Sequence, residues 1–191
     1  MENTRDYRNG TYSAFYVDEP FTDGKSIATA PDFNYYCLLK AWKEKDPSFK
    51  FINSHDKTYE VRDSSDFEST LVPRIRERLR KSKNIILFLS SHTKQSKALK
   101  EEIEYGAIEL GLPIVVVYPE YKTNSQIHNG IGLTDDVKEL ITEKLPILNK
   151  AMKVVPTAHI LMDKDNIESC INYDELTVQG KKNTHLYWYK N

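Results

Sequence analysis

Cysteine is nearly absent: Cys37 and Cys170 are the only two in 191 residues. Disulfide frameworks and thiolate metal centres need more, so neither is expected, and the composition fits a reducing compartment. Glycine (7) and proline (8) are scarce as well. No low-complexity linker divides the chain, and a single domain over residues 1–191 is expected, since domains typically hold ~100–200 residues. No apolar run approaches the ~18 residues that crossing a bilayer takes, and Met1-Glu2-Asn3-Thr4-Arg5-Asp6 has no apolar signal core. A cytoplasmic chain with no membrane partner is expected. Net charge is also lacking: 27 Lys and Arg face 28 Asp and Glu, leaving −1. A dedicated nucleic-acid binder is usually strongly basic, so no nucleic-acid partner is expected. Familiar catalytic signatures are missing too. There is no GxGxxG after the first strand and no GxxxxGK[ST], which argues against a dinucleotide oxidoreductase and a P-loop NTPase. There is no CxxC or HExxH, so no metal is expected, and no GxSxG nucleophile elbow.

What is present is a soluble globular composition, 39% hydrophobic and 29% charged, with 12 Tyr, 7 Phe and 2 Trp. So many aromatic rings exceed what a core needs, and some are expected to line a pocket or an interface. Tyr12-Ser-Ala-Phe-Tyr-Val17 is a β-prone run. A long polar stretch from Asp18 to Pro31 follows as a loop, with Asp32 as the expected N-cap of a helix. Tyr35, Leu38, Leu39 and Trp42 recur at helical spacing. Phe49–Ile52 reads as a strand and 53–67 as a second loop. Leu71, Val72, Ile75 and Leu79 mark the next helix, with Pro73 tolerable only in its first turn. Asn84–Leu89 and Ile114–Tyr118 are continuously apolar, as in strands covered on both faces of a parallel sheet. Leu99, Ile103, Ala107 and Leu110 form the helix between them. Val137, Leu140 and Ile141 suggest a helix, His159–Met162 a strand, Ile167–Leu176 a last helix, and His185–Tyr189 a terminal strand or packed tail. This alternation predicts an α/β layer fold: a central parallel sheet of about five strands with helices on both faces.

In such sheets ligands bind beyond the carboxyl ends of the strands, here the loops 18–31, 53–67, 90–97 and 119–133. Glu101, Glu102 and Glu104 look like acids opening a helix, where they would complement its dipole. Of the three, Glu102 borders the apolar stripe and has Gly106 four residues on, so it is the one able to reach a pocket. The loop after 49–52 clusters His55, Asp56, Arg62 and Asp63, either as a solvated turn region or as ligand donors. Ser90, Ser91, His92 and Thr93 offer hydroxyls at a third strand end, with Ser96 the better helix cap. The basic run Arg74–Lys81 carries the stripe Ile75 and Leu79, so it reads as a solvated helix face. Cys37 reads as a packing residue.

Taken in order, Ser54-His55-Asp56, Arg62-Asp63-Ser64-Ser65, Arg74–Leu79, Ser82–Leu89, Thr93-Lys94, Glu102–Ala107 and Gly111–Val117 resemble the TIR-like domains of bacterial anti-phage Thoeris systems, the ThsB type, over about residues 12–120. The resemblance implies a flavodoxin-like TIR fold. It implies cleavage of the nicotinamide–ribose bond of NAD, as substrate and with no other cofactor. It further implies a cyclic ADP-ribose-like signal that switches on a ThsA-type effector, with a phage-derived trigger and a homo-oligomer as further partners. It places the catalytic carboxylate at Glu102 and the strand-ending aromatic at Phe15. Phe15, Ser54, His55, Asp56 and Ser91 are then the candidate substrate-binding residues. The sequence departs from the family pattern at Glu101, where Trp is usual, at Val17, where Ser is common, and at Asn53, where an acid is frequent.

The chemistry asks for one carboxylate. Glycosidases generally need two, one to protonate a poor leaving group. Nicotinamide in NAD is already a cationic pyridinium and leaves without an acid. A carboxylate then stabilises the ribosyl cation, and exclusion of water decides whether that cation cyclises or hydrolyses. Two other readings fit the same pattern: a nucleoside deoxyribosyltransferase-like enzyme with Glu102 as nucleophile, and a non-catalytic TIR adaptor acting by self-association.

Overall fold

The structure, a computed structural model, describes residues 8–16, 31–53 and 67–188. Five strands, β1 (Gly10–Ala14), β2 (Ser82–Phe88), β3 (Ile114–Tyr118), β4 (Thr157–Leu161) and β5 (Leu186–Trp188), form one sheet in the order β1-β2-β3-β4-β5. Every pairing is parallel. This is an α/β, flavodoxin-like architecture.

The two continuous apolar runs sit where continuous apolarity requires. β3 is buried along its whole length and β2 is buried except at Lys83. Alternate residues feed two cores. Ile85, Leu87, Ile114 and Val116 join Tyr12 and Ala14 on one face, and Ile86, Phe88, Val115 and Val117 pack on the other. The first face is covered by α2 (Val72–Arg80), α3 (Lys97–Ile103), α4 (Asp135–Lys144) and α5 (Pro146–Ala151). The second is covered by α1 (Pro31–Lys45) and α6 (Lys164–Asn172).

Several expectations shift in detail. Residues 49–52 do not form a strand. Phe49 N–H bonds back to Asp46 O and Phe51 N–H to Phe49 O. The segment therefore spends two donors locally and a third, Lys50 N–H, on Glu168 of α6, and among the described residues it meets the sheet where Thr11 N–H donates to Ile52 O and Asn53 bridges Thr11 in parallel. That contact still lies on the outer side of β1. The chain thus leaves β1 for one side and returns to β2 on the other, which makes the carboxyl ends of β1 and β2 the topological switch point.

In α1, Tyr36 and Leu39 are buried whereas Leu38 is 39% exposed, so the stripe is rotated by one residue. The helix starts at Pro31, which places Asp32 within it rather than at its N-cap. Pro73 occupies the first turn of α2 as expected, and a π-helical turn (Phe67–Leu71) precedes it. Proline has no N–H to continue a regular ladder, and the wide turn absorbs that break.

Ser96 caps α3, accepting a hydrogen bond from Leu99 N–H. After Ile103 the helix widens into a π segment (Glu104–Glu109), ending at Gly111 with φ +70°. Gly106 lies in this segment, and a Cβ built there would fall 2.8 Å from both Ile85 Cδ1 and Leu79 Cδ2. The missing side chain lets the segment press onto β2 and α2. It does not open space beside Glu102. In the last third, α4, β4 and β5 match the apolar clusters, α6 is shorter than 167–176, and α5 is an additional element.

Candidate functional site

Glu102 lies inside the protein, 9% exposed, beneath β1. Along β1 the side chains alternate, so Tyr12 points to the α2–α3 face. Its hydroxyl donates to Glu102 Oε1 at 2.7 Å. Glu102 Oε2 is buried and has no hydrogen-bond partner among the described residues. Burial pushes the carboxyl up to about 8 against the opposing pull of the Tyr12 hydroxyl. A buried carboxyl with one oxygen held and the other open is costly to maintain, and such groups concentrate at functional sites.

The neighbouring acids differ. α3 begins at Lys97 and has no acid in its first turn. The cluster therefore sits where α3 passes into the π segment, and a helix-dipole role for it is overturned. Glu101 is not simply turned to solvent: it accepts from Arg76 Nε at 2.5 Å, bridging α3 to α2. Arg76 also lies over the Tyr105 ring at 4.6 Å. Glu104 is exposed.

Phe15 follows β1 and turns to the opposite face of the sheet. It stacks on Tyr36 with ring centroids 5.3 Å apart and packs near Phe33 at 6.1 Å. Tyr36 OH accepts from Asn53 Nδ2 at 2.7 Å. Phe15, α1 and the edge at Asn53 thus gather where the loop bearing Ser54, His55 and Asp56 departs. Those three lie outside the described residues.

Ser91 is exposed after β2, and both of its donors are engaged by Glu120: N–H to Oε2 and Oγ to Oε1, each at 2.7 Å. This ties the loops after β2 and β3 together. Ser90 and Thr93 are buried and close the turn, Ser90 N–H donating to Thr93 Oγ1 at 3.0 Å and Thr93 N–H to Ser90 O at 3.1 Å. Lys94 lies over the Tyr16 ring at 5.9 Å, at the end of β1 on the Glu102 face. The structure thus brings Glu102 and Tyr12 together and places Phe15 and Ser91 at the same end of the sheet on other surfaces.

Sequence reasoning missed Tyr12. Its signal was available in the alternation Tyr12, Ala14, Tyr16 on the face that the helix carrying Glu102 must cover. The basic run of α2 is an outer face, with Lys81 bonded to Glu77 at 2.5 Å. Among the described residues no three His, Cys, Asp or Glu side chains gather as a metal site, and no helix is long and apolar enough to cross a membrane. A groove of about 250 Å³ lies at the far edge of the sheet, on the α6 side, lined by Cys170, Tyr173, Tyr187 and Trp188 among others. It is remote from Glu102.

Residues 12–124, more than half of the chain, match the family model described as Thoeris protein ThsB, TIR-like domain.

Proposed function

The chain belongs to the ThsB TIR-like family, with a TIR-type role in Thoeris anti-phage defence, and from that premise we propose that it cleaves the nicotinamide–ribose bond of NAD with Glu102 as the catalytic carboxylate. The observation that carries this reading is the Glu102 carboxyl: buried, one oxygen held by Tyr12, the other without a partner. The large majority of buried side-chain polar atoms have at least one hydrogen-bond partner, so an open carboxyl oxygen in the core calls for an explanation.

The bond from ribose C1′ to the pyridinium nitrogen breaks, its electron pair stays with nitrogen, and neutral nicotinamide leaves. Positive charge spreads over C1′ and the ring oxygen. Glu102 Oε2 stabilises that charge from a low-dielectric site, where one fixed charge has most effect. Capture by a nucleophile within the same molecule gives a cyclic signal, and capture by water gives ADP-ribose. The cyclic product is the one that suits a ThsA-type effector. Phe15 with the α1 rings and Ser91 tied to Glu120, at the carboxyl ends of β1 and β2, are the described groups that could border a bound nucleotide and limit water.

With its pKa raised to about 8, the resting carboxyl holds a proton over much of the neutral range. A cationic pyridinium beside it favours the charged form, so NAD binding and proton release are coupled. kcat/KM, which reports the free enzyme, rises with pH toward an inflection near 8, and the inflection in kcat lies lower.

The test is mass spectrometry of nucleotides in cells expressing the protein, with and without phage, alongside Glu102→Gln. Nicotinamide and a new ADP-ribose derivative that vanish in the variant support the reading. Base exchange on deoxynucleosides would replace it with the transferase reading. Defence that survives in Glu102→Gln would replace it with the adaptor.

A further inference from the structure

We propose that Tyr12 is a positioning residue for Glu102: by holding Oε1 it fixes Oε2 as the oxygen presented to the cationic ribosyl group. The inference rests on the NAD-cleaving reading and adds a residue that the reading does not supply.

The geometry carries it. Tyr12 is 0% exposed and sits on β1, whose partner β2 pairs Tyr12 with Ile85. Glu102 comes from α3, ninety positions away in the chain. A strand clamped in a sheet is a rigid platform, and a phenol has only two torsions to fix. The carboxylate thus gains a directional anchor that its own flexible side chain lacks. Without the anchor, either oxygen of Glu102 could turn inward, and the uncompensated acceptor would have no fixed direction.

Other titratable groups on the packed elements are engaged elsewhere. Arg76 of α2 pairs with Glu101, Arg76 and Arg80 lie over the Tyr105 ring, Glu104 is exposed, and Lys94 lies over Tyr16. The Tyr12 hydroxyl opposes burial and favours the charged carboxylate.

The experiment uses Tyr12→Phe and, at the same position, 3-fluorotyrosine, whose hydroxyl is a stronger donor in an almost unchanged shape. Infrared difference spectra titrate the Glu102 carboxyl in the NAD-free protein, with Glu102→Gln identifying its band. Steady-state nicotinamide release gives kcat and KM.

For Tyr12→Phe the carboxyl titration should move up by about one to two pH units, the size expected for losing a hydrogen bond to a charged group. kcat should fall about tenfold or more, and KM should rise at neutral pH and recover as pH is raised, because NAD binding is coupled to proton release. The fluorinated residue should move the titration the opposite way. A merely structural Tyr12 would alter melting temperature and leave these readouts in place. If Tyr12→Phe does not fold, the fluorinated protein decides.

An unchanged titration and an unchanged kcat in a folded variant overturn the positioning role. Glu102→Gln separates the two levels. If it is inactive while the Tyr12 variants behave as wild type, only the positioning role fails. If it keeps full activity, the NAD-cleaving reading fails and takes the positioning role with it.

Discussion

Two buried pairs invite comparison. At β1 and α3, Tyr12 OH meets Glu102 Oε1 at 2.7 Å; at β3 and β4, Tyr118 OH meets His159 Nδ1 at the same distance. Both join a tyrosine to an ionisable side chain in the core of a parallel sheet. They differ in completion. His159 Nε2 also reaches Thr157 Oγ1 at 3.3 Å, so both ring nitrogens are satisfied, while Glu102 Oε2 has no partner among the described residues. Burial pushes His159 down to about 3 and Glu102 up to about 8, so each prefers its neutral form. The saturated pair is what a core polar network looks like. The open pair bears an energetic burden that the saturated pair does not, and the proposed function takes that burden as its starting point.

The largest expected effect falls on the open pair. Glu102→Gln should lower nicotinamide release roughly 100–1,000-fold, the loss typical of one well-placed electrostatic group, measured on the activated protein. It should also stabilise the fold above neutral pH. The folded carboxyl, near 8, lies above its ordinary value of 4.5. The native state therefore keeps a proton that the unfolded chain gives up, and stability falls as pH rises from 4.5 to 8. Gln escapes this loss. Its melting temperature should exceed wild type at pH 8, and the two should converge toward pH 4.5. A variant that is inactive because it is less stable at pH 8 would break the comparison.

The saturated pair should do the reverse. His159→Leu leaves the Tyr118 hydroxyl without its partner and should cost about 1–3 kcal/mol, with activity retained once folded. Its linkage has the opposite sign. Folded His159 near 3 lies below the ordinary 6.5, so the unfolded chain binds the extra proton, and stability falls as pH drops from 6.5 toward 3. The two groups offset each other between 4.5 and 6.5, each at roughly 1.4 kcal/mol per pH unit. Urea melts across that range should show a flatter profile for wild type than for either variant.

Much of the frame was legible in the sequence because burial on both faces leaves an unmistakable run. Asn84–Leu89 and Ile114–Tyr118 could hardly be anything but central strands. Legibility faded where neighbours decide. Residues 49–52 look like a strand but lie outside β1 with no further strand beyond among the described residues, and a local turn and Glu168 claim their donors. Leu38 and Leu39 are identical in type, and only the packing of α1 tells which is inside. The π segment 104–109 leaves no mark in composition. The burial of Glu102 was foreshadowed by its place beside an apolar stripe. The alternation along β1 put Tyr12 on the same face, but which side chain it meets depends on a contact across ninety positions.

A smaller effect tests the scaffold that holds the open pair. Gly106→Ala would place a methyl 2.8 Å from Ile85 Cδ1 and Leu79 Cδ2, both in a closed core. Overpacking costs about 1–3 kcal/mol, offset in part by the ~1 kcal/mol that alanine gains over glycine in a helix. A net loss near 1 kcal/mol in denaturant melts is expected. A gain would mean that the close approach of the π segment to β2 is looser than these distances indicate.

The smallest effect is the sharpest control. Glu101 adjoins Glu102 in sequence and has the same side chain, but its carboxylate is already bound to Arg76 across the α2–α3 interface. Its partner is a solvent-reached guanidinium, where the partner of Glu102 is a buried hydroxyl. The Arg76 side chain is 39% exposed and Glu101 18%. Solvent screens such a pair, and its loss should barely move the melting temperature. Glu101→Gln should therefore leave nicotinamide release within about twofold of wild type, since a contact that stays formed throughout the reaction supplies nothing extra to the transition state. Assayed beside Glu102→Gln under one activating condition, the pair of variants separates position from charge. If both lose activity alike, the general negative field of the segment matters, and an unpartnered oxygen is no guide to the site. If only Glu102→Gln does, the chemistry resides in the single carboxylate that the fold leaves incomplete.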